Sequence, residues 1–402
     1  MICRESVFES ELYPVLLQNL SDETVLFFDI ETTGLSAATS YVYLIGCAFF
    51  TNRKEAPKSM KLVQWMTTDA SEEKELISRF FSFCKDYTRL IHYNGTGFDL
   101  PFLEKKAKRH CLTLPDVFSS GLDLISHAKH FAKKNPLSDC KLKTVERYFG
   151  LPRTDCFSGA DLIAVYSSFT GLHRLNQLNG SKIEEEQALV HVLLLHNAED
   201  VSSLPSLMLL TALSDAEGLH SFLTGYTQKE NLKIKEARPD SITFLLPLSF
   251  SFPKGWHMTL WESNDIASFE VILQEAELCL RIPVFHGELK HFYTNYRDYY
   301  YLPAEDCAMH KSVASFVDKD HRIKATPATC YTRQSGRFLL CLMLSPKKSA
   351  AQKTDTEENF PVCFASEYES PQQFTPFTEE SLADSEKMFR LLLRLIISFM
   401  NC

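Results

Sequence analysis

The stretch Val25-Leu26-Phe27-Phe28-Asp29-Ile30-Glu31-Thr32-Thr33-Gly34-Leu35 constrains this chain more than any other. An apolar run of strand length enters it, and two carboxylates one residue apart follow just before a glycine turn. In a strand, side chains at i and i+2 leave from the same face, so Asp29 and Glu31 point together while Phe28 and Ile30 point into packing. Two acids held side by side repel each other unless a cation lies between them. Hard divalent ions such as Mg²⁺ or Mn²⁺ take oxygen ligands of this kind. An isolated Asp-X-Glu at a strand end is most often a pair of solvated acids, so its meaning depends on the downstream sequence.

Two later motifs supply that context. Asn94-Gly95-Thr96-Gly97-Phe98-Asp99 follows a predicted strand, Leu90 to Asn94, and two glycines turn the chain so that Asp99 opens the next helix ahead of Pro101. Asp99 there is either a ligand at the carboxyl end of a strand or only a helix cap. A long helix is predicted from Ile183, with Glu184, Glu185 and Glu186 at its N-terminus and a kink or break at Pro205. It carries His196-Asn197-Ala198-Glu199-Asp200, in which His196 and Asp200 share a face and His191 falls on the opposite one.

The remaining elements set the frame. Residues 1 to 20 read as a short helix. Strands follow at 25–31, 41–50 and 61–66, then an amphipathic helix opened by Ser71 and running to about Asp86, and a further strand near Gly121 to Ile125. Three antiparallel strands, a crossover helix and two more strands predict a five-stranded mixed α/β sheet with flanking helices.

Together the three motifs resemble those of the DEDD 3′-to-5′ exonucleases, whose fold is ribonuclease-H-like. Tyr43-Leu44-Ile45-Gly46, His92-Tyr93-Asn94 and Leu142-Lys143-Thr144-Val145-Glu146 are similar to the YprB-type bacterial ribonuclease-H-like domain, over about residues 20 to 212. The resemblance implies that Asp29, Glu31, Asp99 and Asp200 hold two Mg²⁺ or Mn²⁺ ions. It implies a 3′-to-5′ exonuclease acting on single-stranded DNA or RNA ends by a two-metal mechanism. The superfamily places Tyr three residues, or His four residues, clear of the fourth acid; here His196 stands at the tyrosine spacing. His196 is therefore either the general base or a packed histidine. Thr32, Thr33, Gly34 and Leu35 either contact the terminal nucleotide, as the resemblance implies, or form a plain turn. A binding module that retains the site without cutting, and a structure-specific endonuclease, are the alternative functions.

At 402 residues the chain exceeds one typical core, which predicts two domains, 1–220 and 221–402. The second reads as β-rich α+β, with strands at 241–250, 256–261, 269–273, 277–283 and 338–344, a polar loop at 347–359 and a closing helix from Glu379 to Met400. Its segment Lys290 to Tyr301 interleaves aromatic and basic residues, which either stack unpaired bases or pack a hairpin. Lys141 and Lys143 read as phosphate contacts or solvated lysines, and Asp123 and Asp161 as structural acids.

The net charge of −9 excludes a protein that coats duplex nucleic acid through its overall field. Twelve cysteines without a Cys-X-X-Cys argue against a zinc ribbon or a thioredoxin-type motif and read as reduced thiols. Charged residues interrupt the apolar runs at both ends (Arg4, Glu5, Glu9 and Glu11; Arg390 and Arg394), so no signal peptide or membrane span is predicted and the expected location is the cytoplasm. No protein partner is legible.

Overall fold

The structure is a computed structural model that describes residues 1–10, 24–50, 59–133, 135, 137–180, 182–249, 257–262, 269–344 and 362–400. The chain divides into two compact units, Met1–Ser214 and Asp215–Cys402.

The first unit contains strands β1 (Ile2–Glu9), β2 (Val25–Thr32), β3 (Val42–Phe50), β4 (Ser59–Met66), β5 (Arg89–His92) and β6 (Gly121–Asp123). Its helices are α1 (Glu73–Cys84), α2 (Asp99–His110), α3 (Leu124–Ala132), α4 (Leu142–Tyr148), α5 (Gly159–Asn179), α6 (Ile183–Leu207) and α7 (Leu209–Leu213). The strands form one sheet in the order β1-β4-β3-β2-β5-β6. Neighbours from β1 to β2 are antiparallel, and β5 and β6 continue parallel to β2. A mixed sheet covered on both faces suits strands as continuously apolar as β2 and β3. Leu26, Phe28 and Ile30 of β2 pack with Leu76 and Phe80 of α1 and Leu103 of α2. Tyr43 and Met66 pack with Leu162 and Tyr166 of α5 and Leu193 of α6.

This packing fixes the motif strand. Phe28 and Phe80 are both fully buried, their ring centroids 5.3 Å apart, and each such side chain stabilises by roughly 1.5 to 3 kcal/mol. A slip of one residue in β2 would turn these rings outward, so the core on one face sets the position of Asp29 and Glu31 on the other.

Three expectations about this unit are corrected. Residues 2–9 form a strand, not a helix, and the sheet has six strands instead of five. The reason is backbone pairing: Ile2 to Glu9 register against Met66 to Ser59 of β4, with Lys61 and Glu5 2.6 Å apart across the pair. Residues 11–20 of the expected helix lie outside the described residues. At the start of α1, Asp69 and not Ser71 is the capping residue: it caps a short 3₁₀ turn, and the α-helix opens at Glu73.

The second unit opens with α8 (Ala216–Tyr226). Strands β7 (Lys233–Ala237), β8 (Ser241–Pro247), β9 (His257–Glu262), β10 (Glu270–Gln274), β11 (Glu277–Phe292), β12 (Tyr299–Leu302) and β13 (Cys307–His310) follow. After α9 (Lys311–Ala314) come β14 (Ile323–Lys324), β15 (Tyr331–Met343), β16 (Gln372–Pro376), α10 (Glu379–Ala383) and α11 (Ser385–Met400). The sheet path β16-β15-β11-β10-β9 also takes in β8 and β7, and β13-β12-β14 form a small separate sheet. The expected closing helix is broken, because Asp384 adopts an extended conformation between α10 and α11. The expected loop at 347–359 lies outside the described residues. In the aromatic segment, Tyr293 stacks on Tyr299 at 4.9 Å, and Tyr293, Tyr296, Tyr299 and Tyr301 pack around Ala308, Ala325 and Cys330. These rings build a small core of their own. Among the described residues no helix is long and apolar enough to cross a membrane.

Candidate active site

Asp29 and Glu31 leave β2 toward α6. Opposite Asp29 on β3 stands Gly46, where a Cβ would lie 2.1 Å from Asn197 Oδ1 and 3.1 Å from Val201 Cγ2. The missing side chain lets α6 approach the sheet closely. Asn197, fully buried, then donates from Nδ2 to Asp29 Oδ2 at 3.1 Å, while its Oδ1 accepts from Gln64 Nε2 at 2.9 Å. Gln64 also donates to the carbonyl of Leu194 at 2.8 Å, so a satisfied chain of amides orients the first acid.

Asp99 arrives from the other side. Asn94 takes a left-handed conformation (φ 62°), and a Cβ on Gly95 would meet the His92 ring at 2.6 Å, so the turn fits only a glycine there. Asp123 accepts from the N–H groups of Asn94 at 2.7 Å and Thr96 at 3.0 Å, bracing the turn from beneath. Asp99 follows Phe98, the cap position of α2, which makes no side-chain capping bond. The Asp99 carboxylate reaches β2 and accepts from Ile30 N–H at 3.2 Å.

The third side is α6. His196 Nε2 lies 3.5 Å from Glu31 Oε1 and 3.4 Å from Asp200 Oδ2, and ligand atoms of Glu31, His196 and Asp200 all fall within 4.8 Å of one another. His196 Nδ1 lies 2.7 Å from Asp155 Oδ2. With an ionised carboxylate as partner, Nδ1 carries the ring proton and Nε2 presents its lone pair to the acids. His191 on the same helix is exposed.

Sequence reasoning missed the loop that supports this face. Glu199 of α6 accepts from the N–H groups of Thr154 and Asp155, each at 2.9 Å, and so clamps the loop that presents Arg153 and Asp155. Arg153 reaches Glu146 at 2.9 Å and Asp155 at 3.0 Å, and its guanidinium also contacts Asp200. Lys143 is 2.8 Å from Asp155, which places it under His196 as a structural cation, whereas Lys141 is exposed. Asp161 closes a capping box with Ser158 at the start of α5, a structural role like that of Asp123. The only signal for Arg153 and Asp155 was charge alternation in a polar stretch, which is too common to select them. Asn197 and Gln64 carried no signal at all.

The electrostatics follow from burial. Burial, then repulsion from Asp99 and Asp200, pushes Asp29 well above the usual carboxylate range. Burial, then Asp200 and Asp99, does the same to Glu31. Burial raises Asp99 to about 6 against the opposing effects of His92 and the Ile30 N–H. Asp155 runs the other way: despite its burial, hydrogen bonds from Lys143, Phe157 N–H and Arg153 hold it well below that range. Acids crowded at this cost, with hard oxygen donors converging from β2, α2 and α6, fit divalent metal ions.

The turn after Glu31 separates the four remaining candidates. Thr32 donates from Oγ1 to the Gly34 carbonyl at 2.9 Å, and Thr33 exchanges bonds with Tyr41 at 3.0 and 3.1 Å, so both threonines hold the turn. A Cβ on Gly34 would lie 2.6 Å from Ser40 Oγ. Leu35 is 88% exposed, an apolar side chain left in solvent beside buried acids. The loop is anchored from below by Lys106, which is buried, donates to the Ser40 carbonyl and pairs with Glu73 at 3.0 Å.

Residues 26–211 match the model of the RNase_H superfamily. Over 240 residues the chain is 25% identical to the PolC-type DNA polymerase III of Caldanaerobacter subterraneus subsp. tengcongensis, a match covering 55% of this chain and 16% of that protein. The chain thus spans well under a fifth of the curated relative it matches. The family B DNA polymerase from Pyrobaculum calidifontis is similar at a TM-score of 0.33 and 14% identity, over 69% of this chain and 35% of that one. E. coli exonuclease I in complex with a dT13 oligonucleotide is similar at a TM-score of 0.30 and 13% identity, over 94% of this chain and 70% of that one. The sheet order of the first unit agrees with the match of residues 26–211 to the RNase_H superfamily model.

Proposed function

We propose that this chain is a metal-dependent nuclease of the DEDD type that removes nucleotides from the 3′ ends of single-stranded nucleic acid. The observation that carries this reading is the convergence of Asp29, Glu31, Asp99 and Asp200 from three separate elements, with His196 Nε2 aimed into them. Two divalent ions held by these acids would supply an activated water and stabilise the leaving 3′-oxygen. The chain's own residues do the rest. His196, its tautomer set by Asp155, takes the proton of the attacking water at Nε2. Asn197 holds Asp29 in its ligand orientation. Leu35 lies against the terminal base, with Thr32, Thr33 and Gly34 shaping the turn that presents it. The similarity to a PolC-type polymerase points the same way.

The test offers 5′-labelled single-stranded DNA and RNA to the full chain with Mg²⁺ or Mn²⁺ and reads the product ladder. A ladder shortening by single nucleotides is expected, and none with Asp29→Asn. Internal cuts would replace this reading with an endonuclease. Binding of ends without cleavage would leave a binding module, and undiminished cleavage in excess chelator would remove the metal chemistry.

A further inference from the structure

The second unit holds a pair of thiols that nothing above uses. Cys341 lies on β15, where pairing with β16 shifts register between Leu340 and Leu342. Cys341 is thus the extra residue of a β-bulge, a device that re-aims one side chain out of the regular alternation. It is fully buried, and its Sγ stands 3.8 Å from Cys363 Sγ. Cys363 is held independently. Its neighbours Phe364 and Ala365 bridge to Phe374 of β16 and Lys290 of β11, and its carbonyl accepts from His291 Nδ1 at 2.8 Å. Two sulfurs already in contact on separately anchored segments are placed to close to the bonding distance of about 2.05 Å.

We propose that Cys341 and Cys363 are an oxidisable dithiol, converted to a disulfide by a hydroperoxide. Cys363 is half-buried and Cys341 inaccessible, so Cys363 meets the oxidant. Cys341 Sγ also donates to the Gln373 carbonyl at 3.3 Å; its contact with Cys363 lowers the Cys363 thiol against the effect of burial, helped by the charge of Arg394, while the same contact and burial raise Cys341. The Cys363 thiolate attacks the O–O bond of the peroxide, giving a sulfenic acid and hydroxide. Cys341 sulfur then attacks Cys363 sulfur, the S–O bond breaks, and the departing hydroxyl leaves as water with the Cys341 proton. Two thiols and one hydrogen peroxide yield one disulfide and two waters, the two electrons passing from sulfur to peroxide.

The bond would close a ring from residue 341 to residue 363 and join β15 covalently to the segment bridged to β11 and β16. The test treats the full chain with graded hydrogen peroxide, blocks remaining thiols with N-ethylmaleimide and reads a non-reduced tryptic digest by mass spectrometry. The peptide bearing Cys341 should appear linked to the peptide bearing Cys363 before any other cross-link forms. The oxidised chain should melt about 5 to 10 °C higher, reversibly with dithiothreitol. Cys363→Ser and Cys341→Ala should each abolish both effects, and either folded variant suffices. Exposed Cys3, Cys111 and Cys156 report whether peroxide has acted. Oxidation of these three while Cys341 and Cys363 remain alkylatable would overturn the proposal, as would an unchanged thermal gain in oxidised Cys363→Ser.

Discussion

Replacing Asp99 by Asn should stabilise the metal-free chain while weakening its response to metal. Asp99 is displaced from 3.8 to about 6, which corresponds to roughly 3 kcal/mol of preference for the protonated form. The folded chain holds this proton more tightly than the unfolded chain, so metal-free stability falls as pH rises from about 4 to about 6 and stays low above that. Asn keeps an oxygen to accept from Ile30 N–H and removes the charge. At about pH 7.5 the transition of the first unit should therefore rise by roughly 6 to 12 °C in the variant, and the difference should close near pH 4. In Mn²⁺ the order should reverse, because the wild type gains the full linkage to metal and the variant has lost a ligand. Differential scanning calorimetry in chelator and in Mn²⁺ measures both halves. A metal-free Asp99→Asn chain that melts at or below wild type near neutral pH would refute the claim that burying the Asp99 carboxylate destabilises the chain without metal.

Asp155→Asn should lower single-turnover cleavage by about 10² to 10⁴-fold and flatten the pH profile, while the metal-induced rise in Tm persists, since Asp155 faces His196 and not the acids. Gly46→Ala should cost about 1 to 3 kcal/mol in urea unfolding and blunt the metal response, because the new methyl would lie 2.1 Å from Asn197 Oδ1 and displace the partner of Asp29. Tyr299→Leu should destabilise by about 1 kcal/mol through loss of its stacking on Tyr293 and leave single-strand affinity unchanged; a weakened affinity in a folded variant would restore a binding role to these rings.

The strands and helices of the candidate site were legible because each announces itself locally. β2 reads as an apolar run ending in acids, Asp99 as a residue after a glycine turn, and α6 as an amphipathic helix with His196 and Asp200 four apart. What supports them was not, because its partners are remote in sequence. Gln64 and Asn197 are 133 residues apart, and nothing local to either says that one amide will orient another beside Asp29. Asp155 looks like any polar loop residue until Glu199 clamps it under His196. The first strand was misread for a related reason: Arg4, Glu5 and Ser6 face solvent, so its identity lies in hydrogen bonds to β4 and not in its side chains.

That first strand also decides how the chain can be shortened. β1 lies along the whole of β4, and Arg4, Glu5, Ser6 and Glu9 on it face water along with Val7. A chain trimmed to begin at β2 would keep every residue of the acid cluster and lose this cover. The N–H and C=O groups of β4 that now pair with β1 would face solvent on a strand carrying Met60, Leu62, Val63 and Trp65, a surface that invites a strand from another copy. Shortened versions made for crystallisation or assay should therefore retain residues 1–10, and self-association of versions that lack them would arise from this open edge and carry no information about native oligomers.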